Sequence, residues 1–160
     1  MDDFIGLAFS SMVIIMPAFI ANSVPVLARG KRPVDLGRYM GDGRRVLGDG
    51  KTFEGFFAGL GVGTLSGALF GYPLHSFLLS LGALFGDMLG AFIKRRIGIE
   101  RGKPAPILDQ LDFVAGAILF LYPIYRVTPE QVLFIVIATP PIHLLTNYVA
   151  YRLGLKRYPW

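Results

Sequence analysis

The sequence predicts an all-α integral membrane protein with five transmembrane helices, the N-terminus outside and the C-terminus in the cytoplasm. Three observations predict it. First, the chain is too apolar and too sparsely charged for a soluble domain. Of its 160 residues 53% are hydrophobic and 17% charged, with mean hydropathy +0.54; a soluble domain carries about 25% charged residues. Second, uncharged stretches approaching the roughly 20 residues that a spanning helix needs recur along the chain. Third, the Lys and Arg residues fall into segments that alternate with those stretches. Disorder is excluded by the same apolarity. With no Cys and two His, a disulfide framework, a thiolate nucleophile and a Cys- or His-based metal site are excluded or disfavoured.

The first span is residues 4–28, free of charge throughout. Pro17 and Pro25 within it predict a kink or a local break. Residues 55–86 are again uncharged, enough for two spans if the chain turns at Tyr72-Pro73. That gives spans at 55–72 and 74–93. The fourth span, 107–125, carries Asp109 and Asp112 near its start, and the fifth, 131–151, has no charge but contains Pro140-Pro141. Gly55, Gly59, Gly63, Gly67 and Gly71 form a stripe with a four-residue period, echoed by Gly82, Gly86 and Gly90. Small residues at this spacing predict close helix packing in lipid. No linker or internal repeat divides the chain, so residues 1–160 read as one domain.

Cytoplasmic loops are rich in Lys and Arg. With the N-terminus outside, segments 29–54, 94–106 and 152–160 lie in the cytoplasm and hold 15 of the 16 cations, leaving Arg126 outside. The acidic Met-Asp-Asp start argues against a cleaved signal peptide. The net charge of +5 is then mostly a topology signal and does not point to nucleic acid. The predicted location is a multi-pass position in the cell membrane, with the charged face toward the cytoplasm.

Acidic residues inside spans are costly and mark function. Asp87 lies about two turns from the inner end of its span. Asp109 and Asp112, at i, i+3, share a helix face. The topology puts all three at one depth, where they repel one another unless a cation neutralises them. A hard cation such as Mg²⁺ takes oxygen ligands and shares them with substrate phosphates. Taken singly, Asp109 and Asp112 read as acids favouring a helix N-terminus, and Asp87 as a partner for Lys94 or Lys51.

Cations gather on the same side. Loop 29–54 is rich in Gly, Arg and Lys and runs into a helix start, which favours anions. Gly50-Lys51-Thr52 is not the end of a Walker A motif, because Arg45 stands where that motif needs Gly. An anchor for topology explains the cations but not the paired Gly-Asp-Gly stretches at 41–43 and 48–50. Loop 94–106 adds five more cations directly after the Asp87 span. A divalent-metal site ringed by Lys and Arg beside lipid suits a polyphosphate reacting with a lipid phosphate.

Gly86-Asp87-Met88, then Ile93-Lys94-Arg95, Gly98 and Ile107-Leu108-Asp109-Gln110-Leu111-Asp112, resemble the C-terminal signature of the phosphatidate cytidylyltransferases. Lys51-Thr52-Phe53-Glu54-Gly55 resembles the Lys-Thr-Trp-Glu-Gly stretch of the same enzymes. With Asp42-Gly43-Arg44-Arg45, the set looks most like their archaeal branch, the CDP-archaeol synthases, over nearly all of residues 17–115. The chain departs from the bacterial and eukaryotic signature. Gly90-Ala91 replaces Glu-Ser, Lys103-Pro104-Ala105-Pro106 replaces Gly-His-Gly-Gly, and Asp109-Gln110 replaces Asp-Arg. These departures favour the archaeal branch and leave the reader of the cytosine base unassigned.

The resemblance implies transfer of CMP from CTP to an isoprenoid glycerol phosphate lipid, with Mg²⁺ as cofactor. Asp87, Asp109 and Asp112 are then the metal-binding and catalytic carboxylates. Lys94 joins them as a catalytic cation. Lys51, Thr52 and Arg95 are phosphate-binding candidates, with Arg44, Arg45 and Lys103 behind them. Asn22, an amide near the inner end of the first span, either lines the site or makes an inter-helix hydrogen bond. Two other functions compete. A CTP-dependent polyprenol kinase would release CDP rather than pyrophosphate. A small transporter or channel needs polar residues through the midplane, and the outer halves of these spans have almost none.

Overall fold

The computed structural model describes residues 2–160. The predicted apolar segments become six helices: α1 Asp2–Ser23, α2 Pro25–Ala28, α3 Phe53–Ala68, α4 Pro73–Arg96, α5 Leu108–Leu121 and α6 Pro129–Arg152. Among the described residues there is no strand, only isolated bridges pairing Pro33 with Thr52 and Tyr39 with Arg45. Three helical stretches, Asp3–Ala28, Pro73–Arg96 and Pro129–Arg152, are long and apolar enough to cross a membrane. The other two segments are shorter. At about 1.5 Å per residue, the 16 residues of α3 and the 14 of α5 extend less than the ~30 Å of a hydrocarbon core.

The prolines behave differently from one another. Val24 is a turn residue, and Pro25 opens α2 after α1 ends at Ser23, so the first predicted span is split where a break was expected. Pro17 and Pro140-Pro141, also expected to break their helices, lie inside continuous α1 and α6. Hydroxyls bond main-chain carbonyls close to two of these prolines. Ser80 of α4 donates to the Pro17 carbonyl at 3.4 Å, and Thr139 donates to the Ile135 carbonyl at 2.6 Å.

α4 is the centre of the molecule, packed against α1, α3 and α5. Its glycines set the approach to α5. A Cβ at Gly82 would strike the Gly116 carbonyl oxygen, one at Gly86 the Asp112 carbonyl oxygen, and one at Gly90 the Asp112 carboxylate. The α3 stripe works likewise: Gly59 faces the Ala21 carbonyl of α1, Gly63 faces Ser80 and Ala21, and Gly67 faces Ser76. A Cβ at Gly71, the fifth member of that stripe, would meet nothing within 4 Å; its φ of 86° turns the chain out of α3 toward Pro73. The buried core joins Ile15 and Ala18 of α1, Leu79 and Ala83 of α4, Phe113, Val114, Ala117 and Leu121 of α5, and Ile135 of α6. Large apolar side chains such as Phe4, Phe9, Phe57, Leu119 and Ile137 cover the outside. Such a continuous exposed apolar surface belongs in lipid.

α6 packs on α1 and α5 and, among the described residues, makes no helix contact with α2, α3 or α4. Its start is tied down by Thr128, which accepts from Gln131 N, and by Gln131, whose amide reaches Ser10 of α1 at 3.4 Å. Its second half therefore stands apart from α2 and leaves a gap beside the charged end of the bundle.

Close α4–α5 packing makes a prediction. Gly82→Leu forces side-chain atoms into backbone and should destabilise the protein by about 3 kcal/mol or more. Gly61→Leu, at a position with open space, should be tolerated. Thermal unfolding of the two variants in detergent checks the contrast.

Candidate active site

The loop between α2 and α3 folds around one buried carboxylate. Asp35 accepts from Arg45 Nη2 at 2.6 Å and Nε at 3.2 Å, and from the backbone N–H groups of Gly37, Leu47 and Gly48. Burial alone would raise the Asp35 carboxyl. The guanidinium of Arg45 and the three N–H groups overcome that and hold it well below the usual carboxylate range. Arg45 also pairs with Asp49 at 2.8 Å. The two Gly-Asp-Gly stretches are turns with anchoring carboxylates. Asp42 accepts from Arg44 N and pairs with Arg96 at 2.8 Å, while Asp49 bridges Arg45 and, more loosely, Arg101.

This loop is docked on the end of α4. Arg44 donates to the Arg95 and Arg96 carbonyls, and Arg96 donates to the Arg45 carbonyl at 2.6 Å. Arg44 thus caps the last carbonyls of α4, and Arg96 returns the contact to the loop. At the loop's end, Thr52 is the N-cap of α3 and accepts from Gly55 N at 3.2 Å. That fixes Lys51, whose ammonium donates to Asp87 Oδ2 at 2.5 Å.

Loop 94–106 is organised by Asp109. Lys94 Nζ donates to both Asp109 oxygens, at 2.8 and 2.9 Å, and to the Lys103 carbonyl, while Asp109 Oδ2 also accepts from Ala105 N. Ile107, at φ 71°, turns the chain into α5; a β-branched residue in this region is strained. Asp112 accepts only from the N–H of Phe113 and has no cation in salt-bridge contact among the described residues. Arg95 Nε is buried without a hydrogen-bond partner.

Two cavities meet at Gly50, Lys51 and Asp87. The smaller, of about 140 Å³, is walled by Asp87, Asp109, Asp112, Lys94, Arg95 and Arg101. The larger, of about 380 Å³, runs between α1, α2, α3, α4, α6 and the C-terminal tail. Its polar wall is Asn22, Thr52, His143, Asn147 and Lys156, and much of the rest is apolar.

The predicted site residues divide accordingly. Asp87, Asp109, Asp112, Lys51, Lys94 and Arg95 come together around the smaller cavity, and Asn22 and Thr52 line the larger one. Arg44, Arg45 and Lys103 line neither; Lys103 pairs with Glu100 at 3.2 Å. Among the described residues no three acidic or His side chains stand close enough to hold one ion by themselves, because Lys51 and Lys94 lie against Asp87 and Asp109. The donor chemistry still suits Mg²⁺, which commonly takes one or two carboxylates and completes its shell with water and substrate phosphate. Asp112, unpaired across from Gly90, supplies such a carboxylate beside Asp87. Sequence reasoning missed His143, Asn147 and Lys156. The first two were accessible by the same rule that found Asp87, polar groups inside a span at i, i+4. Lys156 gave no signal, being one of several cations after the last span.

A bundle of apolar helices that gathers carboxylates and cations at one end defines an intramembrane enzyme for anionic substrates. The chain belongs to the CDP-archaeol synthase family: the family model described as CarS-like, CDP-archaeol synthase, matches residues 4–160. It is 48% identical over 164 residues to the CDP-archaeol synthase of Thermococcus gammatolerans, covering 95% of this chain and 96% of that protein. It is 48% identical over 158 residues to that of Aeropyrum pernix, covering 94% and 91%. A solved structure, described as an intramembrane enzyme for archaeal membrane lipids biosynthesis, superposes with a TM-score of 0.81 at 46% identity and covers 87% of this chain and 93% of its own. The family resemblance read from the sequence holds, and the protein is a membrane cytidylyltransferase.

The Asp35 hub makes a prediction. Asp35→Ala leaves buried N–H groups and two of the Arg45 donors without an acceptor and should loosen the loop by about 2–3 kcal/mol, read as faster cleavage of residues 29–54 by an added protease. A lowered folded-state pKa means that the stabilisation is complete above the unfolded value of about 3.9. It is lost only as the pH falls through the still lower folded value. Protection of the loop should therefore be complete down to about pH 4 in the native protein and decline progressively below it.

Proposed function

We propose that this chain transfers CMP from CTP to an isoprenoid glycerol phosphate lipid at the cytoplasmic face of the membrane, with Mg²⁺ held by Asp87 and Asp112 and by substrate phosphate, while Asp109, tied to Lys94 and Ala105 N, fixes the wall beside them. The observation that carries the reading is the pair of cavities meeting at Lys51 and Asp87, which suits two anionic reactants converging on one point. A phosphate oxygen of the lipid attacks the α-phosphorus of CTP and forms a new P–O bond. The bond from that phosphorus to the oxygen bridging the β-phosphate breaks, and pyrophosphate leaves with the electron pair.

The lipid phosphate is already a nucleophile, so no Ser or Cys is required. The barrier lies in bringing anions together and in the charge that grows on the leaving group. Arg95, Lys94 and Lys51 bind phosphate oxygens, and Thr52 and Asn22 contribute polar contacts at the larger cavity. Arg44, Arg45 and Lys103 act through the two loops they hold in place. When bound, the metal ion neutralises the triphosphate and the departing pyrophosphate. As proposed topology, α1–α2, α3, α4, α5 and α6 form five crossings with the N-terminus outside, the short α3 and α5 being completed by the apolar turns that follow them. This arrangement collects 15 of the 16 Lys and Arg residues on the cytoplasmic side.

Purified protein with Mg²⁺, CTP and a panel of lipid phosphates tests the proposal. Pyrophosphate and a CDP-lipid are the expected products; CDP with a phosphorylated lipid would instead make the protein a kinase. Asp87→Asn should lower turnover at least about 100-fold while the purified variant keeps its thermal transition. Normal Mg²⁺-dependent turnover in that variant would remove Asp87 from the site. A cysteine placed in loop 29–54 should react with membrane-impermeant reagents only from the cytoplasmic side.

A further inference from the structure

Three lysines line the two cavities, and two of them are matched by carboxylates: Lys51 with Asp87 and Lys94 with Asp109. The third, Lys156, lies half-buried in the wall of the larger cavity. It donates to Asn147 Oδ1 at 2.9 Å and to the main-chain oxygen of Trp160 at 2.8 Å. No Asp or Glu side chain pairs with it among the described residues. An ammonium has three donors, so one remains for a ligand. Burial, reinforced by the charge of Lys51, pushes its pKa down. A cation kept part-way out of water is costly, and an anion at its remaining donor offsets that cost.

The tail holds this lysine in place. Gly154, at φ 69°, ends α6, and the N–H groups of Leu155 and Lys156 return to the Ala150 carbonyl. Further on, Trp160 Nε1 donates to the Gly102 carbonyl of loop 94–106 at 2.8 Å, and Tyr158 stacks on Trp160. Lys156 is thus fixed over the cavity rather than swinging from the surface. Asn147 continues the polar row, its amide nitrogen 3.2 Å from the His143 ring.

The rest of that cavity says which anion it takes. Val26 and Leu27 of α2 line one side, and Val149, Ala150 and Leu153 of α6 or its cap line the other. These two helices do not pack on each other, so an apolar passage lies between them. The smaller cavity has no such walls and is dominated by charged groups.

We infer that Lys156, hydrogen-bonded to Asn147, receives the phosphate of the lipid acceptor, whose chains leave through the gap between α2 and α6, while the triphosphate of the nucleotide occupies the smaller cavity. The inference rests on the reading of the chain as a cytidylyltransferase and adds which cation serves which substrate. Lys156→Ala should raise the KM for lipid phosphate about 10–100-fold and leave the KM for CTP unchanged, and Lys156→Arg should restore most of the loss. A raised KM for CTP with an unchanged KM for the lipid would overturn the assignment, as would a fall in kcat alone.

A second measurement uses the unmodified protein in detergent and needs neither turnover nor a folded variant. Amine acylation of Lys156, followed by mass spectrometry, should be slowed by a dialkyl glycerol phosphate but not by Mg²⁺–CTP. The reverse pattern, or no protection by the lipid phosphate, sinks the inference. If the native protein released no pyrophosphate with any lipid phosphate, the cytidylyltransferase reading would fail, and the protection experiment would still decide the role of Lys156.

Discussion

Main chain meets main chain along α4 and α5, and the grouping of Asp87, Asp109 and Asp112 follows from that contact. Gly82, Gly86, Gly90 and Gly116 remove the side chains that would hold the helices apart. Apolar burial between helices gains little in lipid, so close dispersion contact has to hold them together. The contact puts the Asp112 carboxylate against Gly90, one turn from Asp87. Had either helix carried ordinary side chains there, the carboxylates would stand on separate surfaces and no shared site would form.

Placing acids together at a membrane boundary raises a problem of charge, and the two loops answer it. Lys51 enters from the first loop and Lys94 from the end of α4, each matched to one Asp. Neither loop owes its form to an apolar core. The first is wrapped around Asp35 and pinned to α4 by Arg44 and Arg96; the second is tied by Asp109. Ion pairs of this kind are sensitive to the loss of one partner. The pairing also means that any ligand taken up at Asp87 or Asp109, or at the lysines that face them, has to displace an existing ion-pair partner.

Much of the site was legible in the sequence because lipid penalises charge so heavily. Asp87, Asp109, Asp112, Lys51, Lys94 and Arg95 stood out as charges in or beside apolar runs, and they do line one cavity. The same logic, applied to amides and imidazole, would have reached Asn147 and His143. It could not separate Lys156 from the other cations of the last segment, because its place depends on the turn at Gly154 and the anchoring of Trp160. Nor could it tell that Arg44 and Arg45 serve the architecture of the loop: a guanidinium that caps carbonyls and one that grips phosphate look alike in one dimension.

The sequence by itself determined the all-helical membrane character, the segments that pair through glycine, and the family, since each rests on composition, period or an ordered motif. Only the tertiary structure decided which charges neutralise one another, that the Gly-Asp-Gly stretches are anchored turns, and that prolines 17, 140 and 141 leave their helices unbroken. The reason is one of range. Periodicity and hydropathy act within a single segment, whereas an ion pair such as Lys51–Asp87 joins residues 36 positions apart, and a proline's effect depends on the helices packed around it.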